Sequence, residues 1–164
     1  MSFIIVGLGN PGEEYEGTRH NAGRLAVSLL SDDWSDDQRT NSLIAKAKLG
    51  KKAVTLLLPE TFMNLSGAAV KSLVKSVKAA AELVVIRDDL DLPLGRVKMT
   101  FARGAGGHRG VESVKRAVKT DKFYQIKIGI SPTTPGGKLK KPQGEDKVQK
   151  FILSKFKPDE LKIL

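Results

Sequence analysis

Apolar residues in this chain fall into short runs and helical stripes that alternate along its length. Phe3-Ile4-Ile5-Val6 is a continuous apolar run stopped by Gly7, the form of a buried strand. Between residues 20 and 31, Ala22, Leu25, Ala26, Leu29 and Leu30 recur at helical spacing. Residues 43–49 and 53–58 are strand-like, and Gly50-Lys51-Lys52 between them predicts a hairpin turn, with Pro59 ending the second strand. Leu65, Ala68, Ala69, Ser72, Leu73 and Val77 lay out a second amphipathic helix. Leu83-Val84-Val85-Ile86 is another buried strand, leading into the acidic word Asp88-Asp89-Leu90-Asp91-Leu92-Pro93. Residues 97–101 predict a strand, 110–118 a third helix, and the alternation over 125–130 a last strand. Residues 131–144, rich in Pro, Gly, Thr and Lys, are expected to form a mobile basic loop. Residues 145–156 predict a short amphipathic turn or helix, and Pro158-Asp159-Glu160 opens a final one with the usual proline and acidic start.

Strands alternating with helices define an α/β protein. We expect one domain over residues 1–164, with a twisted, mostly parallel (mixed) sheet flanked by helices. In such folds strand C-terminal ends and helix N-termini gather on one edge, where ligands bind. Asn10, Asp88 and the glycine-rich loop 104–107 all fall at junctions that belong to this edge.

Composition narrows the function. With no cysteine, disulfides and thiol nucleophiles are excluded, and a reducing, cytoplasmic setting is expected. No run of about eighteen apolar residues predicts a membrane span, and no basic stretch followed by a long apolar region predicts a secretory leader. The formal net charge is +10, and it is lopsided: residues 1–82 are close to neutral at +1, whereas residues 83–164 carry +9. Such an excess on one half suits a polyanionic partner.

The chain has two histidines, His20 and His108, and neither lies in an apolar run. His20 sits in Thr18-Arg19-His20-Asn21-Ala22-Gly23, close behind Asn10-Pro11-Gly12. His108 sits in Gly104-Ala105-Gly106-Gly107-His108-Arg109-Gly110. An imidazole among amides, with a carboxylate available from the acidic word, is the material of general-base hydrolysis. A carboxylate on Nδ1–H leaves Nε2 as the base. No serine stands in a nucleophile-elbow word, so water is the expected nucleophile. Gly7-Leu8-Gly9-Asn10-Pro11-Gly12 also spells the dinucleotide-binding fingerprint. However, Pro11 and the acidic Glu13, Glu14 and Glu16 delay the helix and repel a pyrophosphate. Asp88, Asp89 and Asp91 could be read as a magnesium site, but no phosphoryl-transfer loop accompanies them. Arg103 and the glycine loop, leading into a helix N-terminus, form a candidate anion site.

Taken together, the words at residues 7–12, 18–23, 61–67 (Thr61-Phe62-Met63-Asn64-Leu65-Ser66-Gly67), 88–93 with Gly95, and 106–108 with Gly110 resemble the bacterial-type peptidyl-tRNA hydrolase family. They match it in order and spacing from residue 3 to about residue 156. The resemblance implies an esterase that frees tRNA from peptide without metal or cofactor, acting as a monomer. It implies His20 as general base and Asp88 as its orienting carboxylate. Asn10 and Asn64 would position water, carbonyl and substrate backbone. Met63 would line the peptide groove, with Tyr15, His108 and Arg109 among the substrate contacts. Its tRNA-phosphate clamp maps onto Lys98 and Lys127, with Arg103 nearby. The chain departs from the pattern at Arg109, where the family usually has Asn, at Ala105, and at Thr100, a clamp-lysine position. The family's C-terminal helix is also longer than the stretch ending at Leu164. Arg109 is expected to turn outward, because a cation beside His20 would weaken the base. The alternative reading is an inactive RNA-binding relative of splicing-factor type; less favoured is a dinucleotide-dependent oxidoreductase.

Overall fold

The computed structural model describes residues 2–164. The first apolar run forms β1 (Phe3–Gly7), and the stripe after His20 forms α1 (Ala22–Ser28). Then follow β2 (Ser35–Asp37), β3 (Ser42–Leu49), β4 (Lys52–Pro59), α2 (Ser66–Lys71), β5 (Leu83–Pro93), β6 (Val97–Phe101), α3 (Arg109–Val118), β7 (Tyr124–Ser131), α4 (Glu145–Ile152) and α5 (Pro158–Ile163). The strands make one seven-stranded sheet in the order β2-β3-β4-β1-β5-β7-β6. Its centre, β4-β1-β5-β7, is parallel, and both edges are antiparallel.

Two-residue alternation on the central strands loads both faces of the sheet. Val6, Leu57 and Val85 point to one core, completed by Ala69 and Val70 of α2 and by Val111, Val114 and Val118 of α3. Ile5, Leu56 and Ile86 point to the other, completed by Ala22 and Val27 of α1, Ile152 of α4 and Phe156 beyond it. Close approach of α1 to β5 requires Gly23, because a Cβ there would overlap the Ile86 carbonyl. That contact sets His20, three residues before Gly23, beside Asp88, two residues beyond Ile86.

Several elements differ from the pattern. The second helix stops at Lys71 although apolar spacing continues to Val77. There the Ser76 hydroxyl accepts the Ala79 N–H at 3.0 Å and starts a separate 3-10 turn over Ala79–Glu82. The acidic word is not a loop after β5 but part of it: Asp88 and Asp89 pair with Ile128 and Gly129 of β7. The short polar strand β2 has no apolar alternation and forms on the exposed edge of β3. Ser131 ends β7, and residues 132–144 are irregular apart from a bridge between Thr133 and Leu139.

Candidate active site

Asn21 joins the first two sequence words. Its Oδ1 accepts the Asn10 N–H at 2.8 Å and its Nδ2 donates to the Asn10 carbonyl at 2.9 Å. This locks the loop after β1 to the 3-10 turn Arg19–Asn21 that carries His20. His20 is buried, and its Nδ1 lies 3.0 Å from both oxygens of Asp88. His108 approaches the same carboxylate from the N-cap of α3, with Nε2 2.8 Å from Asp88 Oδ1. Burial alone would push the Asp88 carboxyl up. The fields and N–H bonds of the two imidazoles outweigh it and hold the group well below the usual carboxylate range. His20, Asp88, His108 and Arg109 line one cleft of about 370 Å³ together with Lys141, Val148 and Ile152.

A buried guanidinium holds the glycine loop to this cleft. Arg87 donates to the Asp88 carbonyl at 2.9 Å, to the Ala105 carbonyl at 3.3 Å and to Gln125 Oε1 at 3.2 Å. Gln125 in turn donates to the carbonyls of Arg103 and Gly104. Neither Arg87 nor Gln125 was singled out from sequence, and Asn21 only as a neighbour of His20. Apart from the Asp88 carbonyl beside Arg87, their partners lie far along the chain, where no local pattern announces them.

The amide and peptide-side residues lie next to, not inside, the same cleft. Asn10 Oδ1 accepts the Met63 N–H at 2.7 Å; among the described residues no protein acceptor meets its Nδ2. Asn10 lines an adjoining cleft of about 620 Å³ with Glu13, Glu16 and Trp34. The Met63 side chain is buried in the core, whereas Asn64 beside it is exposed. Tyr15 is half-buried and meets the exposed Phe62 ring edge-on at 6.3 Å. Arg109 turns outward: its guanidinium lies 3.7 Å from Glu145 and does not contact Asp88.

The basic residues form a row across the sheet. Arg87 of β5 registers with Lys127 of β7, which registers with Lys98 of β6. Burial, first, and then the nearby Arg87, Lys98 and Arg103 push the Lys127 ammonium below its ordinary value, against the pull of Asp89. Cations crowded this way suit an anion from outside. The other acidic side chains are already matched, Asp89 with Arg87 at 3.6 Å and Asp91 with Lys141 at 2.7 Å.

Ligand atoms of His20, Asp88 and His108 lie within 4.8 Å of one another, close enough to consider a metal. The donor set does not suit one. His108 Nδ1 already accepts two backbone N–H groups, so a metal on Nε2 would force the ring proton against them.

Together the fold and the cleft define an α/β protein with an imidazole held by a carboxylate, beside a row of cations. Residues 4–164 match the family model described as peptidyl-tRNA hydrolase, and the chain belongs to that family. It is 40% identical over 166 residues to the peptidyl-tRNA hydrolase of Desulfotalea psychrophila, covering 99% of this chain and 82% of that one. The Aquifex aeolicus peptidyl-tRNA hydrolase is likewise 40% identical, over 98% of this chain and 81% of its own. Among solved structures, the peptidyl-tRNA hydrolase of Acinetobacter baumannii superposes with a TM-score of 0.85 at 31% identity, covering 99% of this chain and 80% of that one. The dinucleotide and RNA-binding-only readings find no support among these relatives. In the described residues no helix is long and apolar enough to cross a membrane.

Proposed function

We propose that this chain hydrolyses the ester between peptide and tRNA in peptidyl-tRNA, releasing free tRNA. The observation that carries the reading is His20 Nδ1 held 3.0 Å from both Asp88 oxygens, which leaves Nε2 as the free face of the ring. Nε2 takes a proton from water as the water oxygen attacks the ester carbonyl. The imidazolium, stabilised by Asp88, then returns the proton to the departing ribose oxygen. Asn10, through its uncommitted Nδ2, and the exposed Asn64 supply neutral donors for the developing oxyanion and the peptide backbone. Tyr15 borders the peptide, Met63 backs that side of the site from the core and holds Asn10 through its N–H, and Lys98, Lys127 and Arg103 take tRNA phosphate. Arg109 meets the substrate from the rim of the cleft.

Action as a monomer is part of the same proposal. The cysteine-free composition supports a cytoplasmic setting. The test is release of free tRNA from N-blocked aminoacyl-tRNA in the presence of a chelator, over a range of salt concentrations. Cleavage persists without metal, and substrate affinity falls steeply with salt as phosphate contacts are screened. Loss of cleavage in chelator, or affinity indifferent to salt, contradicts the proposal.

A further inference from the structure

Both ring nitrogens of His108 are committed inside the protein, and their partners decide which one carries the proton. Nδ1 receives two backbone N–H groups from the first turn of α3, Gly110 at 3.1 Å and Val111 at 3.3 Å. A proton has no place between Nδ1 and two donors, so the neutral ring carries it on Nε2. Nε2–H then points at Asp88 Oδ1 at 2.8 Å. His108 is buried, and its ring centroid lies 5.0 Å from that of His20. Gly110 makes room for this arrangement, because a Cβ there would stand 2.5 Å from Met63 Sδ and 3.1 Å from His108 Cε1.

We infer that His108 is a positioning residue: the N-terminus of α3 sets its tautomer, and it serves as a lasting neutral donor that aligns the Asp88 carboxylate for His20. The inference rests on the reading of His20 as the base. It makes Asp88, rather than the substrate, the group on which His108 acts. Each N–H bond to Asp88 draws on one negative charge. A neutral donor on Oδ1 therefore limits how strongly Asp88 stabilises a protonated His20, and so keeps His20 free to accept a proton from water. The other charged groups around the pair are matched elsewhere. On β5, Arg87 faces Asp89 and backbone carbonyls; on the His20 turn, Arg19 faces Glu160. On α1, Arg24 pairs with Glu60. At the rim, Arg109 faces Glu145 and Lys141 faces Asp91. Besides the base His20 itself, His108 is the uncharged group in direct contact with the carboxylate.

Two measurements test this. With two histidines in the chain, the ring ¹⁵N signals of His108 are assigned by comparison with a His20→Gln variant. The expected spectrum is an Nε2–H tautomer that persists from pH 5 to pH 9. The pH–rate profile is then recorded for His108→Asn, whose short amide can still accept the α3 N–H groups but cannot reach Asp88, and for His108→Gln, whose longer amide can reach it. In His108→Asn the acid limb moves up by about one pH unit, so turnover on that limb falls about tenfold at unchanged KM. His108→Gln returns the limb toward the wild-type position.

An Nδ1–H tautomer overturns the inference, and so does an acid limb that stays put in His108→Asn. A raised KM with kcat intact also overturns it, by restoring His108 to the substrate. If His108→Asn does not fold, the wild-type tautomer decides alone. Near-wild-type cleavage in His20→Gln is a different failure, one that removes the base assignment whatever the state of His108.

Discussion

Asp88 is the residue on which the site turns, because it accepts an N–H from each of two imidazoles and holds both in place. Replacing it with asparagine keeps the shape and one shared acceptor, but removes the charge that stabilises a protonated His20 and sets an NH₂ group beside the His20 N–H. Turnover of Asp88→Asn is expected to fall about 10²–10⁴-fold, the range of a positioned acid–base pair. Asp89→Asn and Asp91→Asn should stay within a few-fold of wild type. The Asp89 carboxylate accepts the Asp91 N–H at 2.8 Å and faces Arg87, while that of Asp91 pairs with Lys141 on the surface. Measuring the three variants side by side decides, and a larger loss at Asp89 than at Asp88 contradicts the assignment. At this scale the sequence was legible where the residue type is scarce. Two histidines and one acidic word left few candidates for the pair. It was silent on Gln125 and on what Asn21 holds, since an amide that bonds distant backbone looks like any surface amide until the chain is folded.

The turn that carries His20 is held from behind by the end of the chain. Thr18 bridges to Lys155, the Arg19 N–H donates to the Ser154 carbonyl at 3.0 Å, and the Phe156 N–H donates to the Gly17 carbonyl at 2.9 Å. The buried Arg19 guanidinium donates to Ser154 Oγ, the Lys155 carbonyl and Glu160 Oε1, and lies over the Phe151 ring at 4.6 Å. Glu160→Ala leaves that charge without its carboxylate. It is expected to cost about 1.5–3 kcal/mol, the usual loss of a hydrogen bond to a charged group. Turnover should drop with it, because the turn beside Arg19 carries the base. An unchanged denaturation midpoint would show that the clamp contributes nothing. Apolar runs forecast β1, β4 and β7 well, since buried strands need them, and they also marked β3 and β6, although β6 lies exposed at the sheet edge. They missed β2, which is polar, and the reach of β5 into the acidic word. Backbone pairing with β7 carries that strand on where its own side chains give no hint.

At the scale of the whole molecule, the buried site couples stability to pH. Burial keeps His108 below its ordinary value of 6.5, against the pull of Asp88, so in acid it stays neutral where the unfolded chain takes up a proton. Stability is therefore lost as pH falls through about 6.5. Asp88, held well below the usual carboxylate range, contributes stability that is present above that range and lost on further acidification. The melting temperature should decline in two stages from pH 7 to pH 3, and His108→Asn should flatten the upper stage. A melting temperature that is level from pH 7 to pH 5 in the wild type contradicts this. The lopsided charge announced an anionic partner, and the fold gathers Lys98, Lys127 and Arg87 in one row. The family resemblance had already grouped Lys98 with Lys127; the strand register adds Arg87 beside them. The central claim is that His20, oriented by Asp88, activates the water that cleaves the ester. It is tested most directly by single-turnover release of tRNA from N-blocked aminoacyl-tRNA by His20→Gln, with folding checked by its melting temperature. The account predicts a loss of about 10²–10⁴-fold in a folded protein that still binds tRNA; cleavage near the wild-type rate in that folded variant would contradict it.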